Sequence, residues 1–256
     1  MPFYSEKERI LLHPAYILHH RPYRNTSLLL DVLTRDHGRL SLVAKGAKQS
    51  KSQFRGCMQP FQKLSISWVR KTELGTLTHA EISDRPNCLV GEAMFAAMYV
   101  NELLTRVLVN GEHSNEIFTI YSKTLRLLSD LNVTLNENAE NSLSIKIAPV
   151  LRVFEYELLQ SLGFEIQLEF DVEQRPINVD LMYKYIPEHG FVQSQEKNVL
   201  LFQGKYLLAF KNEEFQIPGT LKVAQRLMHS GLHKLLGEKP LKSRELFKAY
   251  RQLEKM

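Results

Sequence analysis

At 256 residues the chain can bury a proper core, as one large domain or as two or three small ones. Its apolar fraction of 44% and charged fraction of 24% are those of an ordinary globular protein. No apolar run approaches the roughly 18–20 residues that cross a bilayer, and Met1–Leu12 is too charged for a secretion signal, so a cytoplasmic location is expected. Two cysteines, Cys57 and Cys88, exclude a disulfide-dense scaffold and a four-cysteine zinc site; buried or idle thiols are expected, with a single disulfide as the alternative.

The net charge of +5 conceals its distribution. Residues 1–86 carry a surplus of seven cations, residues 87–220 a surplus of eight anions and residues 221–256 a surplus of six cations. A basic head, an acidic middle and a basic tail imply different partners for different parts. Between His37 and Thr72 stand eight cations (Arg39, Lys45, Lys48, Lys51, Arg55, Lys63, Arg70 and Lys71) and no carboxylate. A solvated surface normally mixes signs, so this one-sided stretch points to a polyphosphate backbone.

Residues 15–82 read as five short strands divided by turn signals. AYILHHR and TSLLLDVLT lead to the turn RDHGR; LSLVAK, PFQKLSISWV and ELGTLTHAEI follow. Leu64, Ile66 and Trp68 alternate with Ser65, Ser67 and Val69, close to the period of two that turns one face of a strand inward. Closing five such strands removes their edges, and the five-stranded barrel that binds oligonucleotides is the OB-fold, although the count alone also suits an SH3-like barrel. The basic loop joins the third and fourth strands and is bracketed by Gly46 and Gly56. Tyr23, Phe54, Phe61 and Trp68 lie near it in sequence. Trp68 alternates like a core residue, whereas Phe54, amid polar neighbours, is the candidate for stacking on bases.

From Pro86 the period changes. CLVGEAMFAAMYVNELLTRVLV is apolar nearly all round and predicts a buried helix. SNEIFTIYSKTLRLLSDL places Ile117, Tyr121, Leu125 and Leu128 at helical spacing, with Ser114 as N-cap. NVTLNENAENS reads as a loop, and IKIAPVLRVFEYELLQSLGF as a third helix that Pro149 starts or kinks and Gly163 stops. In residues 164–220 LMYKYIPEHGFV suggests a hairpin and nothing has helical period. GTLKVAQRLMHSGLHKLLG and SRELFKAYRQLEKM predict two final helices. The expected class is α+β: a barrel over 1–83, a helical domain over 84–163 and 221–256, and a small mixed lobe over 164–220.

Convergent catalytic side chains are hard to find. Neither GxxxxGK[ST] nor GxGxxG is present, so no nucleotide hydrolysis or nicotinamide chemistry is indicated. No HExxH or Cys/His cluster has metal-ligand spacing. His19 and His20 are neighbours on a strand and face opposite sides. The rival enzymatic reading, a metal-dependent nuclease, has only Asp31, Asp36 and Asp84 to use; the first two flank a turn, where carboxylates commonly bond backbone amides. A general RNA-binding barrel is the other alternative.

Several blocks together are recognisable. Gly38-Arg39, Val43-Ala44-Lys45-Gly46-Ala47, Lys51-Ser52, Gly56 and Gln59-Pro60-Phe61, then ELGTLTHAE, YVNELLTRVL, LRVFEYELLQSLGF and KPLKSRELF, make the chain resemble the RecO family of bacterial recombinational repair proteins nearly end to end. The resemblance implies an N-terminal OB-fold, a helical middle, a smaller C-terminal lobe, and a function without covalent chemistry or cofactor. Such proteins bind single- and double-stranded DNA, anneal complementary strands, bind the acidic tail of the single-stranded DNA-binding protein, and act with RecR to help RecA load at gaps. Carried onto this sequence, the DNA-contacting set is Arg39, Lys45, Lys48, Lys51 and Arg55, with Lys242 and Arg244 extending it; a structural reading of KSRELF, with Ser243 as N-cap and Glu245 in the first turn, stands beside that one. Arg152 matches the arginine that receives the tail carboxylate, with Tyr121, Leu125 and Tyr156 beside it. The alternative for Arg152 is an internal ion pair with Glu155 or Glu157. Many relatives hold a zinc on four cysteines after LGF; this chain has none there, so no metal is expected, and Phe164, Phe170, Phe191 and Phe202 are expected to hold the lobe.

Overall fold

The computed structural model describes residues 8–111, 115–134, 143–164 and 166–253. Two compact units emerge, one of residues 1–136 with 240–256 and the other of residues 137–239. This division differs from the expected three parts: no boundary falls between the barrel and the first two helices.

In the first unit, β1 (Glu8–Tyr23), β2 (Ser27–Thr34), β3 (Gly38–Ala44), β4 (Lys63–Arg70) and β5 (Leu74–Ile82) close into a barrel in the order β1-β2-β3-β5-β4. Only β3 and β5 pair parallel, from Ser41 opposite Leu74 to Val43 opposite Thr76. This is the Greek-key order of an OB-fold. Ala15, Ile17, Leu30, Val32, Leu40, Leu42, Leu64, Ile66, Trp68 and Leu77 fill the barrel, so the alternation read in the fourth strand is its core face.

The intervening residues of β1, Tyr16 and Leu18, are buried too. They face α1 (Gly91–Val107) and α2 (Asn115–Thr134). Asn101 on α1 donates from Nδ2 to the Leu18 carbonyl at 2.7 Å and accepts from the Tyr121 hydroxyl, also at 2.7 Å. The Tyr16 hydroxyl bonds Ser122 at 2.8 Å, and its ring meets Tyr121 edge-on at 5.0 Å. A strand buried on both faces cannot be parted from its helices without exposing these groups, which is why barrel and helices form one unit. α6 (Lys242–Leu253) lies along α1, with Phe95 against Phe247 and Tyr250. The expected N-cap Ser114 lies outside the described residues, as does most of the predicted loop 132–142, although α2 runs on to Thr134.

The second unit holds α3 (Leu143–Ser161), a small sheet in the order β7-β6-β8 (Met182–Ile186 being β6, Gly190–Gln193 β7 and Leu201–Gln203 β8), α4 (Gly204–Lys211) and α5 (Thr220–Leu236). Pro149 lies inside α3. Gly163, at φ +80°, ends that helix as expected: its amide reaches the Gln160 carbonyl and that of Phe164 the Leu159 carbonyl, both at 2.9 Å, a Schellman stop. The hairpin is β6–β7. The helix α4 is a correction to the reading of residues 164–220. At eight residues it is too short to show a period, and Leu207, Ala209 and Phe210 supply its buried face. Phe191 and Phe202 are sealed in this lobe, whereas Phe170 is 40% exposed and contributes little to its core.

Candidate nucleic-acid interface

The loop from Lys45 to Gln62 has no regular structure, yet it is stitched throughout. Gln49, Ser52 and Arg55 donate from their amides to the carbonyls of Gly46, Gln49 and Ser52 at 3.0–3.2 Å, a run of turns stepping by three residues. The Lys48 amide reaches Thr26 O, in the β1–β2 turn, at 2.9 Å. Gly46 and Gly56, at φ +69° and +82°, close the two ends. Phe54 pins the whole segment: its ring is 1% exposed and lies in the barrel core, with Met58 buried and Ala47 and Cys57 packed beside it. The stacking role expected of Phe54 is therefore corrected. An aromatic ring set among polar neighbours was an anchor, because the polar residues turn outward around it.

Lys45, Lys48, Lys51 and Arg55 are all exposed, and among the described residues none is within ion-pair distance of a carboxylate. The sequence window nevertheless overstated the free charge. Other elements bring carboxylates to three of its eight cations: Asp31 to Arg39 at 3.1 Å, Asp84 to Lys63 at 3.7 Å, and Glu8 to Arg70. Arg39 is a further correction. Its Nη1 donates to the Thr105 and Leu108 carbonyls at 2.7 and 3.0 Å, so its guanidinium ties the barrel to the end of α1 rather than facing a ligand.

Sequence reading missed Arg24. It is exposed in the β1–β2 turn, over the Tyr23 ring at 5.4 Å, and that turn is the one bonded to the Lys48 amide. The signal was topological. In a β1–β2–β3 meander the first turn and the end of the third strand share one end of the sheet, so RPYRN belonged with the lysines.

Lys242 and Arg244 are exposed at the start of α6. Arg244 lies over the Tyr99 ring, 5.3 Å from its centroid, and donates to the Tyr99 hydroxyl at 3.2 Å. The expected cap is corrected: the Ser243 hydroxyl does not serve its own helix but donates to Glu102 on α1, which also accepts the Lys242 and Ser243 amides. An acidic residue from a distant helix thus does what a local N-cap would do.

The four residues expected around a tail carboxylate are otherwise engaged. Tyr121 and Leu125 are fully buried in the first unit, which removes both from any peptide-binding surface. In the second unit, Arg152 on α3 is 8% exposed and its Nη2 donates to Glu155 Oε1 at 2.5 Å, the internal pair weighed from sequence. Its Nε is buried with no hydrogen-bond partner among the described residues. Tyr156 donates to the Ile166 carbonyl at 3.3 Å, with its ring against Phe210.

Asp31, Asp36 and Asp84 do not gather. Asp31 pairs with Arg39, Asp84 with Lys63, and Asp36 with Arg35 and His13. The Arg35 side chain at Asp36 outweighs the slight burial there and holds that carboxyl below its ordinary value. Among the described residues no group of three or more His, Cys, Asp or Glu is placed to hold a metal ion. In the lobe for which the resemblance implies a zinc in many relatives, this chain has no thiol, and the donor set does not fit that metal. Both cysteines are free thiols in the first unit.

Two family models cover the chain: the N-terminal domain of recombination protein O over residues 9–85, and its C-terminal domain over residues 89–245. The chain belongs to the RecO family. It is 39% identical over 243 residues to a DNA repair protein RecO of Coxiella burnetii strain CbuG_Q212, covering 93% of this chain and 98% of that one. The protein of that name from Haemophilus influenzae strain 86-028NP is 39% identical over 238 residues, with 92% and 95% covered. That of Actinobacillus pleuropneumoniae serotype 7 is 36% identical, with 93% and 94% covered. RecO-family membership agrees with the α+β architecture and the OB barrel. Among the described residues no helix is long and apolar enough to cross a membrane.

Proposed function

We propose that this protein is a non-catalytic mediator of DNA repair that binds single- and double-stranded DNA through the loop between β3 and β4 and anneals complementary strands. The observation that carries this reading is the set Lys45, Lys48, Lys51 and Arg55, exposed and unneutralised on a loop that Phe54 fastens to an OB barrel. Two strands repel through their phosphates; a fixed row of cations lowers that repulsion and releases counterions. Phosphate contacts carry no base information, so the preference for sequence is weak. Family membership supports the remaining partners. The protein docks on the acidic tail of the single-stranded DNA-binding protein, gains local concentration on coated strands, and acts with RecR to let RecA load. Arg152 is the residue proposed for the tail carboxylate, which a guanidinium grips bidentately. A tail arriving there competes with Glu155 for the cation, and the unpartnered Nε offers it a second donor.

The test is strand annealing on DNA coated with the cognate single-stranded DNA-binding protein, with and without its tail. Reversing Lys45, Lys48, Lys51 and Arg55 to Glu abolishes annealing while thermal unfolding barely moves. Full annealing by the folded quadruple variant refutes the proposal. Labelled strands that shorten in magnesium or manganese favour a nuclease instead.

A further inference from the structure

At the end of the basic loop, where the chain enters β4, the first unit contains an open cavity of about 290 Å³ lined by Gln59, Pro60, Phe61, Gln62, Asn87, Leu89 and Met94. Three features of its wall need a common explanation. Phe61 has φ +67°, a left-handed backbone that a bulky residue rarely adopts. That conformation is clamped from outside: Asn87 Nδ2 donates to the Phe61 carbonyl at 2.7 Å, and the next residue, buried Gln62, donates to the Asp84 carbonyl at 3.3 Å. Strain held this firmly clusters where a side chain must be aimed. None of the seven lining side chains carries charge, although the loop that leads to them is cationic. Arg55 lies four residues before Gln59, so their Cα atoms are no more than about 14 Å apart.

We infer that this cavity receives one unpaired base of a bound single strand, with Phe61 as its stacking platform and Gln59 as the partner of its polar edge. The inference rests on the proposed phosphate binding by the adjoining loop. A nucleotide is the ligand whose two halves match this surface: a flat, uncharged, hydrogen-bonding ring beside a phosphate. The volume sits at the lower limit of small-molecule sites, roughly 300–1,000 Å³, and suits one ring system rather than a dinucleotide. Pro60, Leu89 and Met94 supply the apolar walls. The Gln59 amide is exposed and makes no hydrogen bond among the described residues, so it is available to a base edge. A base in a duplex is stacked and cannot enter, so the cavity distinguishes single strands from double ones, which phosphate contacts alone do not.

The experiment compares binding of an oligothymidylate with an abasic strand of the same length and phosphate count, at several salt concentrations. The intact strand binds at least about fivefold tighter, the low end for one base on an aromatic ring, with equal salt slopes. Phe61→Gly removes that preference. Glycine adopts φ +67° freely, so the backbone is retained while the ring is lost. Equal binding of the two strands by the wild type, with the salt slope intact, overturns the cavity's role and leaves the loop's standing. Failure to bind either strand overturns the loop's role. As a measurement needing no variant, a strand carrying 5-iodouracil is photo-crosslinked to the wild type and digested with trypsin, which cuts after Arg55 and Lys63. An adduct on Phe61 or Gln59 in the released peptide supports the site; adducts only on Cys57 or in other peptides overturn it.

Discussion

Glu102, in the middle of α1, holds Ser243 at the start of α6 through one oxygen: the Ser243 amide and hydroxyl both donate to Oε2, at 2.8 and 2.7 Å. Its other oxygen takes the Lys242 amide at 3.0 Å and the Arg106 guanidinium at 2.9 Å. Burial alone raises a carboxyl, but here the bonds from Ser243, Lys242 and Arg106 outweigh it and hold Glu102 below its ordinary 4.5. Such a group gives up its proton more readily folded than unfolded. Its contribution is therefore complete above pH 4.5 and disappears as pH falls through the lowered value. Glu102→Ala is expected to cost about 1.5–3 kcal/mol at neutral pH, the range for hydrogen bonds to a charged acceptor. Urea unfolding at pH 7 checks it, and the difference from wild type should shrink once both proteins are well below pH 4. A constant difference at all pH would trace the loss to packing.

The basic loop and Arg39 are separable by stability and salt dependence. Changing Lys45, Lys48, Lys51 and Arg55 to Gln removes four phosphate contacts, so the log–log slope of single-strand affinity against salt falls by roughly 2.8, at ~0.7 per contact. Unfolding is expected to stay within about 0.5 kcal/mol per site, because these side chains touch nothing that needs them. Arg39→Ala behaves in the opposite way. It strands the Thr105 and Leu108 carbonyls and frees Asp31, at a cost of about 2–3 kcal/mol, with the salt slope unchanged. A reduced slope in stable Arg39→Ala would return Arg39 to the DNA surface.

These two cases also mark what a linear sequence discloses. The barrel strands, the β6–β7 hairpin and most helices were legible because their apolar periods or turn residues are local, and the Gly163 stop because it lies at the end of a helix; the three-residue β8 was too short to read. Which cations stay free was not legible. Glu8, Asp31 and Asp84 lie outside the carboxylate-free window and reach Arg70, Arg39 and Lys63 only when β1 pairs with β4, β2 with β3 and β4 with β5. Likewise Tyr121 and Leu125 share a helical stripe that reads equally well as a groove or as a core, and only Asn101 and Tyr16, from two other elements, decide for core. Long-range partners decide the fate of polar groups, and spacing along the chain does not contain them.

Arg152 requires a gentle substitution. Truncating it to Ala removes the Arg152 guanidinium from Glu155, which is 0% exposed, and one-sided breakage of a buried pair costs about 3–5 kcal/mol. Loss of every activity would then report only unfolding. Arg152→Lys keeps a charge against Glu155 but loses the planar fork. Affinity for a peptide ending in the acidic tail sequence is expected to fall about tenfold or more, while binding to naked DNA is unchanged. Fluorescence polarisation with a labelled peptide and a labelled oligonucleotide reads both. Unchanged peptide affinity places the tail's carboxylate elsewhere.

In the lobe, Asp171 organises what relatives are expected to organise with a metal. Its Oδ1 accepts the Glu173 and Arg175 amides at 2.9 and 3.0 Å, and Oδ2 the Arg175 Nε at 2.8 Å. Burial works against the charged form, yet the amide and guanidinium bonds prevail and hold the carboxyl below its ordinary 3.8. The sign is again that of a depressed carboxyl: stability is present above pH 3.8 and is lost as acid protonates the folded form. Asp171→Ala leaves two amides without their acceptor, and the lobe is expected to lose about 1.5–3 kcal/mol. Hydrogen exchange resolves the effect by region. Amides of β6, β7 and β8 should exchange faster in the variant while those of the barrel strands do not change. Addition of zinc or a chelator should leave both patterns as they are; zinc-dependent protection of the lobe would overturn this account of how it is held.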